Sequence, residues 1–167
     1  TSSPCALLIR KNTFKPYNLK NLSSTSFSMN REDAIKKIIN NIELDYIVVA
    51  TTGKTSRELF EYRKELNQTH ERDFLTVGGM GHANQIALGI ALQTKDRQVY
   101  CIDGDGAVLM HLGSVGIIGD ISPVNFKHII INNGSHDSVG GQPTVGFDIN
   151  FKKIFEGLNY KNSYKIS

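Results

Sequence analysis

Apolar and polar positions fall along this chain in blocks of two kinds. Pro4 to Arg10 carries the unbroken apolar run Cys5–Ile9, and its lack of alternation predicts a buried strand. Tyr46 to Thr51, Phe74 to Val77, Gln98 to Ile102 and Lys127 to Ile131 are further short apolar or β-branched stretches of strand length. Between them the apolar period becomes helical. Ala34, Ile35, Ile38, Ile39 and Ile42 follow a capping Asn30 with Glu32 and Asp33 in the first turn, which predicts a helix over 30–41. Lys54 to Leu66, Ala83 to Gln93, Ala107 to Ile118 and Asn150 to Leu158 read as further helices, the third with Gly89 as a sign of close packing. Strand and helix alternate throughout. The pattern predicts an α/β fold, a three-layer α/β/α arrangement with a mainly parallel sheet and right-handed crossovers. In such sheets ligands bind beyond the carboxyl ends of the strands.

Composition narrows the class. The chain has 167 residues, 40% hydrophobic and 21% charged, enough for one domain with a core and too apolar for a disordered segment. A net charge of +3 from nineteen basic and sixteen acidic residues is no nucleic-acid footprint. Lys36-Lys37 and Lys152-Lys153 read as solvated helix faces. No apolar stretch nears the roughly 20 residues of a membrane helix, so no membrane partner is expected. The chain begins with threonine and carries no signal-peptide pattern; it reads as trimmed. Cys5 and Cys101 both sit in apolar runs, where cysteine acts as a small buried hydrophobe, and a reducing, cytoplasmic setting is expected.

The candidate chemistry lies in glycine-rich stretches that follow strands. Gly104-Asp105-Gly106 comes directly after one strand and before a helix. Its glycines permit a tight turn and close approach of the backbone, the helix amides suit phosphate oxygens, and Asp105 supplies a hard oxygen donor. Twenty-five residues separate Gly106 from Asn132-Asn133-Gly134-Ser135, at the end of the next strand. Mg²⁺ takes oxygen ligands and is held by a few protein groups plus phosphates and water, so a carboxylate and an amide on adjacent loops fit a metal diphosphate. Alone, Asp-Gly and Asn-Gly are turn dipeptides. Paired at two strand ends, they favour a ligand site.

Two other motifs are decoys. Gly53-Lys54-Thr55 imitates the end of a P-loop, yet Val48 stands where its first glycine belongs. Gly79-Met80-Gly81 opens like a dinucleotide fingerprint, but Asn84 replaces its last small residue. Among the five histidines, His70 and His128 read as a surface residue and a strand-end residue, and His82 and His111 as structural. His136, one residue past the metal loop and beside Asp137 and Ser138, is the candidate for substrate contact or proton transfer.

The GDG, twenty-five residues, NN pattern resembles the cofactor signature of thiamine-diphosphate enzymes. The runs Gly104 to Gly119 and Asn132 to Thr144, with Thr51 to Leu59 and Gly78 to Ala83, are similar to the phosphonopyruvate decarboxylases and their near relatives, the sulfopyruvate decarboxylases. The resemblance runs from about Pro4 to Asn159. It implies thiamine diphosphate and Mg²⁺ as cofactors, with Asp105, Asn133 and the Ser135 carbonyl as metal ligands. It implies contacts to the cofactor from Thr52, Gly53, Gly78, Met80, Gly104, Gly106 and Ala107: amides of Gly106 and Ala107 to the diphosphate, the Gly78 carbonyl to the pyrimidine amino group, and Met80 as the apolar buttress that bends the cofactor.

The same resemblance divides the chain. Residues 1–14 would be the last strand of a preceding pyrimidine-binding domain, 15–29 a linker, and 30–167 a cofactor-binding domain incomplete at its carboxyl end. The group activates its cofactor with a glutamate on the pyrimidine-binding domain, and none of the glutamates at 32, 43, 58, 61, 65, 71 and 156 resembles it. Partners implied are a small 2-oxo acid, the pyrimidine-binding domain of the same enzyme, and a second subunit, making at least a homodimer; the chain alone would be inactive. Two other readings stay open: the same cofactor site serving sulfopyruvate or another 2-oxo acid, and a non-catalytic nucleotide-binding α/β module.

Overall fold

The computed structural model describes residues 3–17, 27–42 and 45–166. Four strands form one parallel sheet: β1 (Tyr46–Ala50), β2 (Asp73–Leu75), β3 (Gln98–Gly104) and β4 (Phe126–Ile131), in the order β2-β1-β3-β4. Helices α1 (Arg31–Asn41), α2 (Lys54–Glu65), α3 (Ala83–Gln93), α4 (Asp105–Met110), α5 (Leu112–Ile121) and α6 (Phe151–Gly157) connect and cover it. A two-stranded hairpin, β5 (Ser135–His136) with β6 (Gln142–Pro143), follows β4.

Strand periodicity sorts side chains onto the two faces of the sheet. Tyr46, Val48 and Ala50 of β1, with Tyr100 and Ile102 of β3, pack against Ile35, Ile39, Leu59 and Tyr62 of α1 and α2. Val49, Val99 and Cys101 face the other way, onto Ala83, Ala87 and Ala91 of α3. These alanines, spaced four apart, put one small-residue stripe of α3 against the strands. Val108, Val115 and Phe155 extend that layer through α4, α5 and α6. The result is the three-layer α/β/α arrangement that the alternating pattern predicts. Helix α1 starts at a full capping box: Asn30 accepts from the Asp33 amide at 2.8 Å, and the Asp33 carboxylate accepts from the Asn30 amide at 3.5 Å.

Charges reinforce the edge of this core. Arg63 of α2 donates from Nε and Nη2 to both carboxylate oxygens of Asp73 on β2, each at 2.9 Å, with side-chain exposures of 3% and 1%. Lys36 pairs with Glu32 and Glu65, and Lys152 with Glu156, on exposed helix faces as expected.

Three expectations fail locally. Pro4 to Arg10 forms no strand: among the described residues no strand pairs with it, and a strand without a partner leaves its amides and carbonyls to water. Leu7 and Leu8 are 85% and 94% exposed, and Cys5 is exposed rather than buried. The single helix expected over 107–118 is two, α4 and α5. His111 leaves helical geometry (φ −132°, ψ 44°) and sets its ring against that of His82, with centroids 4.2 Å apart and planes tilted by 36°. The hairpin β5–β6 was not legible in the sequence. Of the expected linker, residues 18–26 lie outside the described residues. Its described end meets the loop after β4 at the surface, the exposed rings of Phe27 and Phe147 lying 6.0 Å apart.

Candidate cofactor site

All four parallel strands end at one edge of the sheet, and the loops leaving them converge there. Thr51–Gly53 leaves β1, Thr76–His82 leaves β2, Asp105 opens α4 directly after β3, and Asn132–Phe147 leaves β4. Thr52 Oγ1 accepts from the Gly78 amide at 3.0 Å and so ties the first two loops together. Between the loops lies a small cleft of about 50 Å³. Thr52, Met80, Gly104, Asp105, Gly106, Ala107, Asn133, Ser135 and His136 line it, nine of the eleven residues singled out from the sequence. The other two stand at its margin. Gly53 (φ +100°) packs on Ser138, itself a lining residue, and Gly78 sits exposed on the outer rim.

Asp105 is 1% exposed and caps no other helix; Thr144 donates its hydroxyl hydrogen to Asp105 Oδ2. The hairpin makes this contact possible. Thr144 donates from its amide to the Gly134 carbonyl at 2.9 Å, and β5 pairs with β6, which folds the Asn132–Phe147 loop back over α4. The same fold lays the His136 ring on Gly106. A Cβ at position 106 would come within 2.5 Å of that ring, so the second glycine of the GDG run is required by close approach. At Gly134 both reasons apply: φ is +64°, and a Cβ would lie 2.3 Å from the Phe147 ring.

The asparagines are held in fixed orientations. Asn132 donates to the Gly146 carbonyl at 2.6 Å and accepts from the Gly134 amide. Asn133 accepts from the Ser135 amide at 3.1 Å and donates to Asp137 Oδ2 at 3.0 Å. Asp137 in turn accepts from Arg31 Nη1 at 2.6 Å, while Arg31 donates from Nε and Nη2 to both oxygens of Glu58 at 2.8 and 2.7 Å. Burial pushes the Asp137 carboxyl up, yet hydrogen bonds from Arg31 and Ser135 and the charges of Arg31 and Lys54 bring it below its ordinary value. Hydrogen bonds and charge from Glu58, then from Asp137, raise Arg31 against the opposing effect of burial.

Arg31, Asp137, Thr144 and Gly146 were missed in the sequence. Thr144 stands in a run already marked as similar to the family, but Arg31 lies 106 positions from Asp137 with nothing local to flag it. The Thr51 hydroxyl, one residue before the expected Thr52, is buried with no hydrogen-bond partner among the described residues. Among the described glutamates none lines the cleft.

These groups suit an anionic, metal-bound ligand. The first turn of α4 has no side-chain cap, so its amides are left for oxygen acceptors. Asp105, Asn133 and Ser135 bring hard oxygen donors to the same cleft. Residues 51–165 match the family described as "Thiamine pyrophosphate enzyme, C-terminal TPP binding domain". The chain belongs to this family. As a TPP-binding domain it takes thiamine diphosphate as cofactor.

The relatives of this TPP-binding domain include 2-oxo acid decarboxylases. It is 38% identical over 128 residues to a phosphonopyruvate decarboxylase of Streptomyces viridochromogenes, covering 77% of this chain and 31% of the relative. It is 42% identical over 128 residues to the sulfopyruvate decarboxylase subunit beta of Methanocaldococcus jannaschii, covering 76% and 65% respectively. A sulfopyruvate decarboxylase of Methanosarcina acetivorans is 32% identical over 165 residues, 98% of this chain and 38% of the relative. The TPP-binding domain thus spans about a third to two-thirds of these proteins. A solved structure from Mycobacterium smegmatis, assigned as a thiamin diphosphate-dependent enzyme, shares the fold with a TM-score of 0.63 at 23% identity, over 78% of this chain and 25% of that one. Among the described residues no helix is long and apolar enough to cross a membrane.

Proposed function

We propose that this chain is the diphosphate- and Mg²⁺-holding part of a decarboxylase that converts 3-phosphonopyruvate to phosphonoacetaldehyde and CO₂. The observation that carries this reading is the convergence of Asp105, Asn133, Ser135 and His136 on one cleft beside the uncapped first turn of α4. When bound, thiamine diphosphate supplies the carbanion that adds to a 2-oxo acid and the electron sink for loss of CO₂. The chain's own residues bind and orient. Asp105, the Asn133 amide oxygen and the Ser135 carbonyl hold Mg²⁺, and the amides of Gly106 and Ala107 hold the diphosphate. Thr52, Gly53 and Gly104 would shape the backbone around it; Met80, half-buried in the cleft wall, would serve as its apolar wedge, and the Gly78 carbonyl would accept from the pyrimidine amino group. His136, held over Gly106, is placed to meet the acidic substrate or to move a proton.

Residues 1–14 are assigned as the last strand of a pyrimidine-binding domain, with 15–29 as linker. The corresponding domain of a second subunit would supply the activating glutamate, since none of the described glutamates lines the cleft. Leu7 and Leu8 then gain the sheet neighbours they want in this structure. The second reading is a sulfopyruvate decarboxylase, favoured by the 42% identity to a subunit of which this chain covers 65%. Both substrates are 2-oxo acids carrying a second acidic group. The complete enzyme, assayed for CO₂ release with phosphonopyruvate, sulfopyruvate and pyruvate, is expected to give its highest kcat/KM with phosphonopyruvate. A higher value with sulfopyruvate moves the assignment to the second reading, and no turnover of any of the three rejects both.

Arg31 is a positioning residue in this scheme, acting on Asn133 through Asp137. Arg31→Met in the complete enzyme is expected to weaken Mg²⁺-dependent thiamine diphosphate binding about 10- to 100-fold, the usual effect of losing a group that orients a metal ligand. Arg31→Lys restores little, because the fork to Glu58 needs two coplanar donors. Calorimetric binding equal to wild type in Arg31→Met removes this role.

A further inference from the structure

A second cluster of ligating groups lies away from the cleft, on the sheet face under α3 and α6. Cys101 and Asp103 stand two apart on β3 and so share that face, and His128 sits opposite Cys101 in the β3–β4 register. One ligand atom from each of the three lies within 4.8 Å of the others. Cys101 and Asp103 are 0% exposed and the His128 side chain 3%. His128 Nε2 stands 3.2 Å from Asp103 Oδ2, and the other carboxylate oxygen, Oδ1, is buried with no hydrogen-bond partner. A buried carboxylate with one oxygen left bare is costly, and nothing in the cofactor reading uses it.

We propose that Cys101, Asp103 and His128 form a divalent metal site of the Zn²⁺ class. A mixed thiolate, imidazole and carboxylate set is the donor chemistry that zinc takes, whereas Mg²⁺ takes oxygen alone. Tetrahedral bonds of roughly 2.0–2.1 Å to nitrogen and oxygen set those two ligand atoms about 3.3 Å apart, close to the His128–Asp103 spacing; the sulfur needs to close by no more than about 1 Å. The surrounding contacts are those of groups that orient ligands. His128 Nδ1 lies 3.4 Å from the Tyr160 hydroxyl, which leaves Nε2 for the metal, and Asn84 donates to Asp103 at 3.4 Å. The metal neutralises Asp103 and takes the thiolate, so binding releases the Cys101 proton. Burial, with Asp103 beside it, otherwise keeps that thiol protonated. The way in is the open groove along β4, which His128, Phe155 and Tyr160 line.

The test uses Co²⁺ on the chelator-treated chain without thiamine diphosphate, in a Cys5→Ser background where Cys101 is this chain's remaining thiol. Sulfur-to-cobalt charge transfer in the near ultraviolet and strong tetrahedral bands in the visible are expected, both abolished by added Zn²⁺. Cys101→Ser should remove the sulfur band. Tyr160→Phe should keep the band while weakening Zn²⁺ affinity about 10- to 100-fold. Absence of a sulfur band in the Cys5→Ser protein overturns the proposal, and so does a band that survives Cys101→Ser. Because the first of these needs no change in the cluster, the result stands even where Cys101→Ser fails to fold.

Discussion

Asp105→Ala in the complete enzyme is expected to lower Mg²⁺-dependent binding of thiamine diphosphate by more than about 100-fold, since changes to groups that merely orient metal ligands already cost 10- to 100-fold. The carboxylate is 1% exposed, at the start of α4 in the cleft that Asn133 also lines, and no other described carboxylate of the cleft is so buried. The accompanying change in stability separates function from folding. Without cofactor, Asp105 is a buried charge held by the Thr144 hydroxyl. Asp105→Asn keeps the shape and removes the charge, so the cofactor-free protein should melt at the same temperature or higher while binding is lost. Isothermal calorimetry with Mg²⁺ and thiamine diphosphate, paired with melting curves, reads both. Wild-type affinity in Asp105→Ala would remove the residue from the metal site.

The second large effect lies far from the cleft. Asp73→Ala strands the Arg63 guanidinium at 3% exposure without its carboxylate, leaving it the neutral Gln68 and Tyr46 side chains, and loss of one partner of a buried pair costs about 3–5 kcal/mol. For a chain of this size that is a fall in Tm of about 6–20 °C. The cost is that of an abandoned charge, not the worth of the pair itself. Replacing both residues, with Arg63→Met and Asp73→Leu together, should therefore recover most of the loss. Chemical denaturation of Arg63→Met, Asp73→Leu and the double variant forms a cycle. If the double variant is as unstable as the sum of the singles, the two side chains do not act as a pair.

Most of the layer architecture was legible because each strand is a short apolar run and each helix has its own apolar stripe. Ala83–Gln93 forms over the very residues its composition marks, and Asn30 caps α1 as its type and place suggest. The break at His111 was not legible. The residues around it are uniformly small or apolar, and what stops the helix is a ring contact with His82, made across the fold. Cys5–Ile9 misled for the opposite reason: its composition is that of a strand, but pairing needs a neighbour that composition cannot supply. In the site, Asp105, Asn133 and their loops could be found because glycine and asparagine leave a local mark where the backbone turns tightly. Arg31, Asp137 and Thr144 leave none, since their importance comes from contacts over long stretches of chain.

The central position of β3 governs how the sheet assembles in time. Tyr46 pairs with Gln98, and Val99 with Phe126, so β3 meets neither neighbour until long loops have closed on both sides. Closure entropy must be met before these contacts offset it, which makes parallel sheets of this kind slow to form. Until β3 docks, the apolar runs of β1 and β4 stay open to other chains. Refolding should thus be limited by this one step, and recovery should fall as protein concentration rises during it.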